Sequence, residues 1–173
     1  MQTEFEMFTI GELSYFLGLK VNQSSAGISQ EKYLKEMLKK FQMEDSSPVS
    51  TPMVVGCKLS KDDMSADVDQ RTYRSMIGNL LYITTSRPDI MQAVGMVGHF
   101  QFTPKQSHLV AVKRIFKYFK GTMTYGLWYP RNQNFQLTAY SDVNWENCLD
   151  ERKRTSGGAF FLGDLLVAWL SKK

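Results

Sequence analysis

The stretch 138-TAYSDVNWENC-148 holds the residues best placed to do chemistry. An alternating run of β-favouring residues delivers one carboxylate, Asp142, directly after Tyr140 and Ser141. A carboxylate so placed can ligate a hard divalent cation such as Mg2+, which takes oxygen ligands. Two-metal phosphoryl chemistry needs several convergent carboxylates. The position two residues on is Asn144, which cannot supply one. Asp142 is thus a candidate metal ligand without its nearest partner, and on the plainer reading a turn residue. Asp62 and Asp63 are adjacent acids, but they lie in a polar loop with no strand before them and read as solvated.

The second candidate is 104-PKQSHLVAVKRIFKYFKG-121, which carries Lys105, Lys113, Arg114, Lys117 and Lys120 and no acid. At helical spacing Leu109, Val112, Ile115, Phe116 and Phe119 form a buried stripe, and positions 113, 117 and 120 share the opposite side. Such a helix can track a phosphate backbone. It can equally present a solvated face. Trp128, Trp145 and Trp169 can stack on bases, although tryptophans on alternating strands mostly fill cores. His108 opens the basic helix and can touch phosphate, but a lone histidine there serves more often as a surface or cap residue.

These residues need a scaffold, and the composition supports one. The 173 residues suit one or two domains, and 43% are hydrophobic, enough for a core. A net charge of +4 permits a polyanionic partner without demanding one. Cys57 and Cys148 are far apart and form no zinc-binding or disulfide pattern, which points to a reducing compartment. The start, MQTEFEMFTIGEL, has no signal-peptide core, and no apolar run reaches the length of a membrane span. The expectation is a soluble, cytoplasmic or nuclear chain that is not secreted.

Residues 13–21 read as a strand, 22–27 as a turn, and Ile28 as the start of a short return. A helix follows over 29–41, with Ser29 as its N-cap and Leu34, Met37, Leu38 and Phe41 as its apolar stripe. The prolines and serines of 45–56, and the polar run 58–69, predict an extended connector. Helices are then expected over 70–86, 87–102 and 104–121. In the first, Asp69 is the cap and Tyr73, Met76, Ile77, Leu80 and Leu81 share a face; in the second, Pro88 sits in the first turn. After Gly121 the period becomes alternating, and 124–130, 135–145, 158–163 and 165–173 predict a β-meander. The residues alone therefore describe an α+β or α/β protein with one basic helix and one suggestive aspartate.

The strings 11-GELSYFLGLKV-21, 29-SQEKYLKEMLKKFQM-43, 48-PVSTPM-53, 73-YRSMIGNLLYITTSRPDIMQAV-94, 111-AVKRIFKYFKGT-122, 126-GLWYP-130, 140-YSDVNW-145, 155-TSG-157 and 169-WLSKK-173 occur in that order. Together they resemble the Pol polyprotein of copia-type LTR retrotransposons, over nearly the whole chain. The resemblance implies an α+β fragment that spans the end of the reverse transcriptase and the start of the RNase H domain. Residues 1–52 would be the palm end and thumb start, 53–69 a linker, 70–130 thumb and connection helices, and 131–173 a truncated, three-stranded RNase H-like sheet. Asp142 matches the first catalytic aspartate of the family's RNase H, whereas Asn144 stands where a second Asp is common. Most catalytic carboxylates of both enzymes would lie outside the chain. Two further departures are a hairpin two residues shorter than usual between Gly27 and Ile28, and Arg154 in place of a usual serine.

Three readings follow. The first is a Pol fragment without activity of its own that binds RNA–DNA hybrid weakly through Lys113, Arg114, Lys117 and Lys120, with no cofactor. The second is a Mg2+-dependent ribonuclease H in which Asp142 holds metal, helped by Glu146, Asp150, Glu151 or Asp164. The third is an interaction module that recruits a partner or a second copy through an unpaired strand edge near 165–171.

Overall fold

The computed structural model describes residues 14–16, 19–22, 27–61, 63–129, 136–144 and 155–172. The architecture mixes helices with two antiparallel sheets.

The first sheet has four strands in the order β1 (Tyr15–Phe16), β2 (Leu19–Asn22), β3 (Gly27–Ser29) and β4 (Gly126–Trp128). The single strand expected over 13–21 is in fact two strands paired with each other, Tyr15 opposite Lys20 and Phe16 opposite Leu19. The alternating pattern continues through both arms, so it did not mark where the chain reverses. β4 was expected in the C-terminal meander but pairs with β3, Ile28 opposite Leu127. Strand periodicity does not encode a partner, and the pairing closes a loop of about a hundred residues around the helices. Gly126 permits it, because a Cβ there would overlap the Ile28 carbonyl oxygen.

Helix α1 (Glu31–Lys40) follows β3 directly. Ser29 stays in the strand, and the N-cap is Gln30, without a side-chain capping bond. Leu34, Met37 and Leu38 are buried, and Glu31 pairs with Lys35 at 2.7 Å. Helix α2 (Gln70–Ile83) begins as its sequence indicates, with the Asp69 carboxylate accepting from the Thr72 N–H at 2.7 Å. Tyr73, Met76, Ile77 and Leu80 face the core, but Leu81 is 52% exposed and Ile83 is buried in its stead. The next helical stretch is a 3-10 turn, Pro88–Ile90, running into α3 (Met91–Gly98). Helix α4 (Gln106–Gly121) buries Val112, Ile115, Phe116 and Phe119, and also His108, Ala111 and Tyr118. All four helices contribute to one core.

The second sheet is a meander of β5 (Leu137–Asn144), β6 (Thr155–Leu162) and β7 (Leu165–Lys172). Gly163, at φ 61°, makes the β6–β7 turn, a conformation a side chain would strain. β7 lies against α3, the Trp169 Nε1 donates to the Thr84 carbonyl at 3.0 Å, and the Tyr129 hydroxyl donates to the Leu166 carbonyl at 2.9 Å. No helix among the described residues is long and apolar enough to cross a membrane.

Candidate nucleic-acid interface

The basic helix α4 is held at both ends and along one flank. At its start, His108 is fully buried and stacks on Phe100 with ring centroids 3.8 Å apart. Its Nδ1 accepts from the Lys105 N–H at 3.0 Å, so the neutral ring carries its proton on Nε2 and donates to the Ser60 carbonyl at 2.9 Å. His108 is therefore a buried cap rather than an outward phosphate ligand. Lys105 is also engaged, in an ion pair with Asp67 at 2.8 Å.

Residues 44–61 and 63–69 run along α4 as a strap. Near the helix start, the Gln106 N–H donates to the Ala66 carbonyl, and the Val68 N–H to that of Pro104. Further along, Arg114 Nη2 donates to the Thr51 hydroxyl at 2.9 Å, the Val49 N–H donates to the Lys117 carbonyl, and the Lys120 ammonium donates to the Glu44 carbonyl. The four candidate cations thus divide. Arg114 and Lys120 hold the strap. Lys113 is exposed and Lys117 half-buried, and among the described residues no hydrogen bond of the strap uses either ammonium.

The far end of α4 is fixed by a residue that sequence reasoning passed over. Arg87 is 2% exposed. Its Nε and Nη2 grip the two Asp89 oxygens at 2.9 and 2.7 Å, and its Nη1 and Nη2 donate to the Thr122 carbonyl and hydroxyl at 2.9 and 2.8 Å. The guanidinium also lies over the rings of Tyr118, Phe119 and Tyr125. Tyr118 donates to Asp89 Oδ2 at 2.8 Å. Burial works against the charge on Asp89, but the Arg87 hydrogen bonds and positive charge, with the Tyr118 hydroxyl, outweigh it and hold the carboxyl below its usual range. Burial first, and then the bond to Asp89, push the Tyr118 hydroxyl up. A fork-shaped bidentate grip of this kind needs arginine. The signal available beforehand was Arg87-Pro88-Asp89, a cation and an anion held two residues apart by a proline.

Asp142 stands elsewhere, exposed on β5 opposite Gly157 of β6. Asn144 follows on the same strand, opposite Thr155. Among the described residues no three His, Cys, Asp or Glu side chains gather where they could hold a metal ion. Asp164 is exposed in the β6–β7 turn, while Glu146, Asp150, Glu151, Arg154 and Trp145 lie outside the described residues, as does Asp62. Asp63 accepts from the Ser65 N–H at 2.8 Å, within the strap.

Comparison with known proteins gives a consistent set of relatives. The chain is 36% identical to the retrovirus-related Pol polyprotein from transposon RE1 of Arabidopsis thaliana, over 94% of this chain and 11% of that protein. It is 33% identical to an uncharacterized mitochondrial protein of Arabidopsis thaliana, over 100% of this chain and 72% of the relative. It is 32% identical to the retrovirus-related Pol polyprotein from transposon TNT 1-94 of Nicotiana tabacum, over 99% of this chain and 14% of that protein. The chain therefore spans only a small part of the transposon polyproteins it matches. No family model matches it, and no solved structure does.

Proposed function

We propose, from the chain's similarity to retrovirus-related Pol polyproteins of transposons, that it is a fragment of the reverse transcriptase–RNase H region that binds RNA–DNA hybrid without cleaving it. The observation that carries this reading is the division of α4. Arg87, His108 and the strap fix the helix rigidly, and Lys113 and Lys117 are left on its outer side, where a phosphate backbone can meet them. Binding through so few cations is weak and falls with salt. Against catalysis stands the chemistry of β5, where Asp142 is followed two residues on by an amide, Asn144. The connector over 53–69, the thumb and connection helices over 70–130 and the RNase H-like sheet over 131–173 belong to the same proposal.

The test is binding to a labelled RNA–DNA hybrid with Mg2+ present and cleavage followed on a gel. Salt-sensitive binding that leaves the hybrid intact is the expected result. Reversing the charges at Lys113 and Lys117 should abolish it, and unchanged affinity would defeat the proposal. Mg2+-dependent cutting lost in Asp142→Asn would instead establish a working ribonuclease H.

A second reading rests on the C-terminal sheet. Leu137, Phe160, Val167 and Leu170 are exposed there, and β5 and β7 are its edges. Such a sheet can pair with a second copy. Size-exclusion elution that shifts with concentration would support self-association, and a constant monomeric volume would oppose it.

A further inference from the structure

The described tryptophans have different fates. Trp169 is half-buried and hydrogen-bonded to Thr84, whereas Trp128 is 62% exposed on the edge strand β4. We propose that Trp128 is the stacking platform of a single-stranded nucleic-acid site on the outer face of the four-stranded sheet, with Lys20 taking a neighbouring phosphate.

The pairing register builds this face. Trp128 is opposite Gly27, and Gly126 lies two residues before it on the same strand. Neither glycine puts a side chain beside the indole, which is 62% exposed. The next row across the sheet runs Gly126, Ser29, Lys20, Tyr15. Leu127, Ile28, Val21 and Leu19 alternate with these residues and are partly buried, which places Trp128 and Lys20 on the same, outward side. Lys20 lies two strands away and two residues along, roughly 10 Å across the sheet and 7 Å along it. That separation suits a base on the indole and a phosphate within reach of the flexible lysine stem. The hydrogen bond from Lys35 at 2.7 Å, with its charge, is what chiefly lowers the Glu31 carboxyl, and Lys20 adds only a smaller lowering.

The surroundings select the partner. An apolar protein surface would seek apolar neighbours around the indole, and here the positions nearest it in register are Gly27, Gly126 and Ser29, with Lys20 beyond. An exposed aromatic face with one lysine on the same side of the sheet can read the face of an unpaired base, which a duplex hides within its stack. The site is thus distinct from the hybrid-tracking face of α4, and it rests on the Pol reading only in taking nucleic acid as the partner class.

The experiment compares a fluorescently labelled single-stranded oligouridylate with an RNA–DNA hybrid of equal length, for wild type, Trp128→Ala, Trp128→Phe and Lys20→Glu, with thermal unfolding of each. Trp128→Ala should weaken single-strand binding by about 5- to 100-fold and hybrid binding by less than about two-fold. Trp128→Phe should keep most of the single-strand affinity with an unchanged melting temperature. Lys20→Glu should reduce the salt slope for the single strand by about 0.7 or more. Single-strand affinity unchanged in Trp128→Ala, or lost equally for both ligands, overturns the inference while leaving hybrid binding standing. Trp128-dependent single-strand binding without hybrid binding supports the inference and defeats the proposal for α4. A wild type that binds neither ligand overturns both.

Discussion

Helix α4 and strand β5 both display candidate residues, but on different foundations. Behind Lys113 and Lys117 lies a continuous core, with Val112, Ile115, Phe116 and Phe119 inaccessible to solvent. Behind Asp142 lies a three-stranded sheet with exposed apolar side chains, including Leu137, Phe160 and Leu170. On the first foundation, the helix backbone that carries the charges is anchored by that core. A charge on the second sits in a thin sheet with neighbouring acids outside the described residues. The contrast teaches that a suggestive residue and a firm support are separate properties, and that of these two regions α4 is the one with outward charges over a fully buried core.

The largest effect that could break this contrast is a matched pair of truncations. Phe116→Ala should cost roughly 3–5 kcal/mol in urea unfolding, since a fully buried ring leaves a cavity. Phe160→Ala, at 36% exposure, should cost less than about 1.5 kcal/mol. Equal costs would show that the two regions are equally packed. Close behind comes Arg87→Met, which strips Asp89 of its buried partner and should cost about 3 kcal/mol or more. Arg87→Lys should recover little of it, because an ammonium cannot make the bidentate grip.

The same pair sets an acid limb. The folded-state carboxyl of Asp89 titrates below its unfolded counterpart, so the unfolded chain binds the proton first. The stabilisation is complete above the unfolded value of about 3.9 and is lost as pH falls through the lower folded value. Denaturation midpoints measured down the acid range should fall less steeply in Asp89→Asn than in wild type. A smaller effect is expected at Gln42, which holds φ 56° just after α1, a place where glycine is at ease. Gln42→Gly should stabilise the chain by about 0.5–1 kcal/mol, and a loss of stability would show that the Gln42 side chain matters there.

How much of this was readable from the sequence depends on whether the determinant is local. The Asp69 cap, the α4 stripe and the three-strand meander follow from neighbours in the chain, and all three are present. The pairing of β4 with β3 was not readable, because an alternating run does not name its partner. Ser29 looked like a cap because its hydroxyl suits one, but β2 claims its backbone as a strand partner. The basic helix was visible as a row of charges. Its division into strap-holding and outward-facing cations was not, since the strap residues Glu44 and Thr51 lie about seventy positions upstream. Arg87 was hidden for the same reason, with Thr122 and Tyr118 as its distant partners.

That division is best tested by salt titration of hybrid binding, comparing Lys113→Gln/Lys117→Gln with Arg114→Gln/Lys120→Gln. The first pair should reduce the slope of log affinity against log salt by about 1.8 while leaving the unfolding midpoint unchanged. The second pair should lower the unfolding midpoint and move the slope less. If instead the first pair leaves both affinity and slope untouched, α4 is a solvated face and the interface assigned to it is wrong.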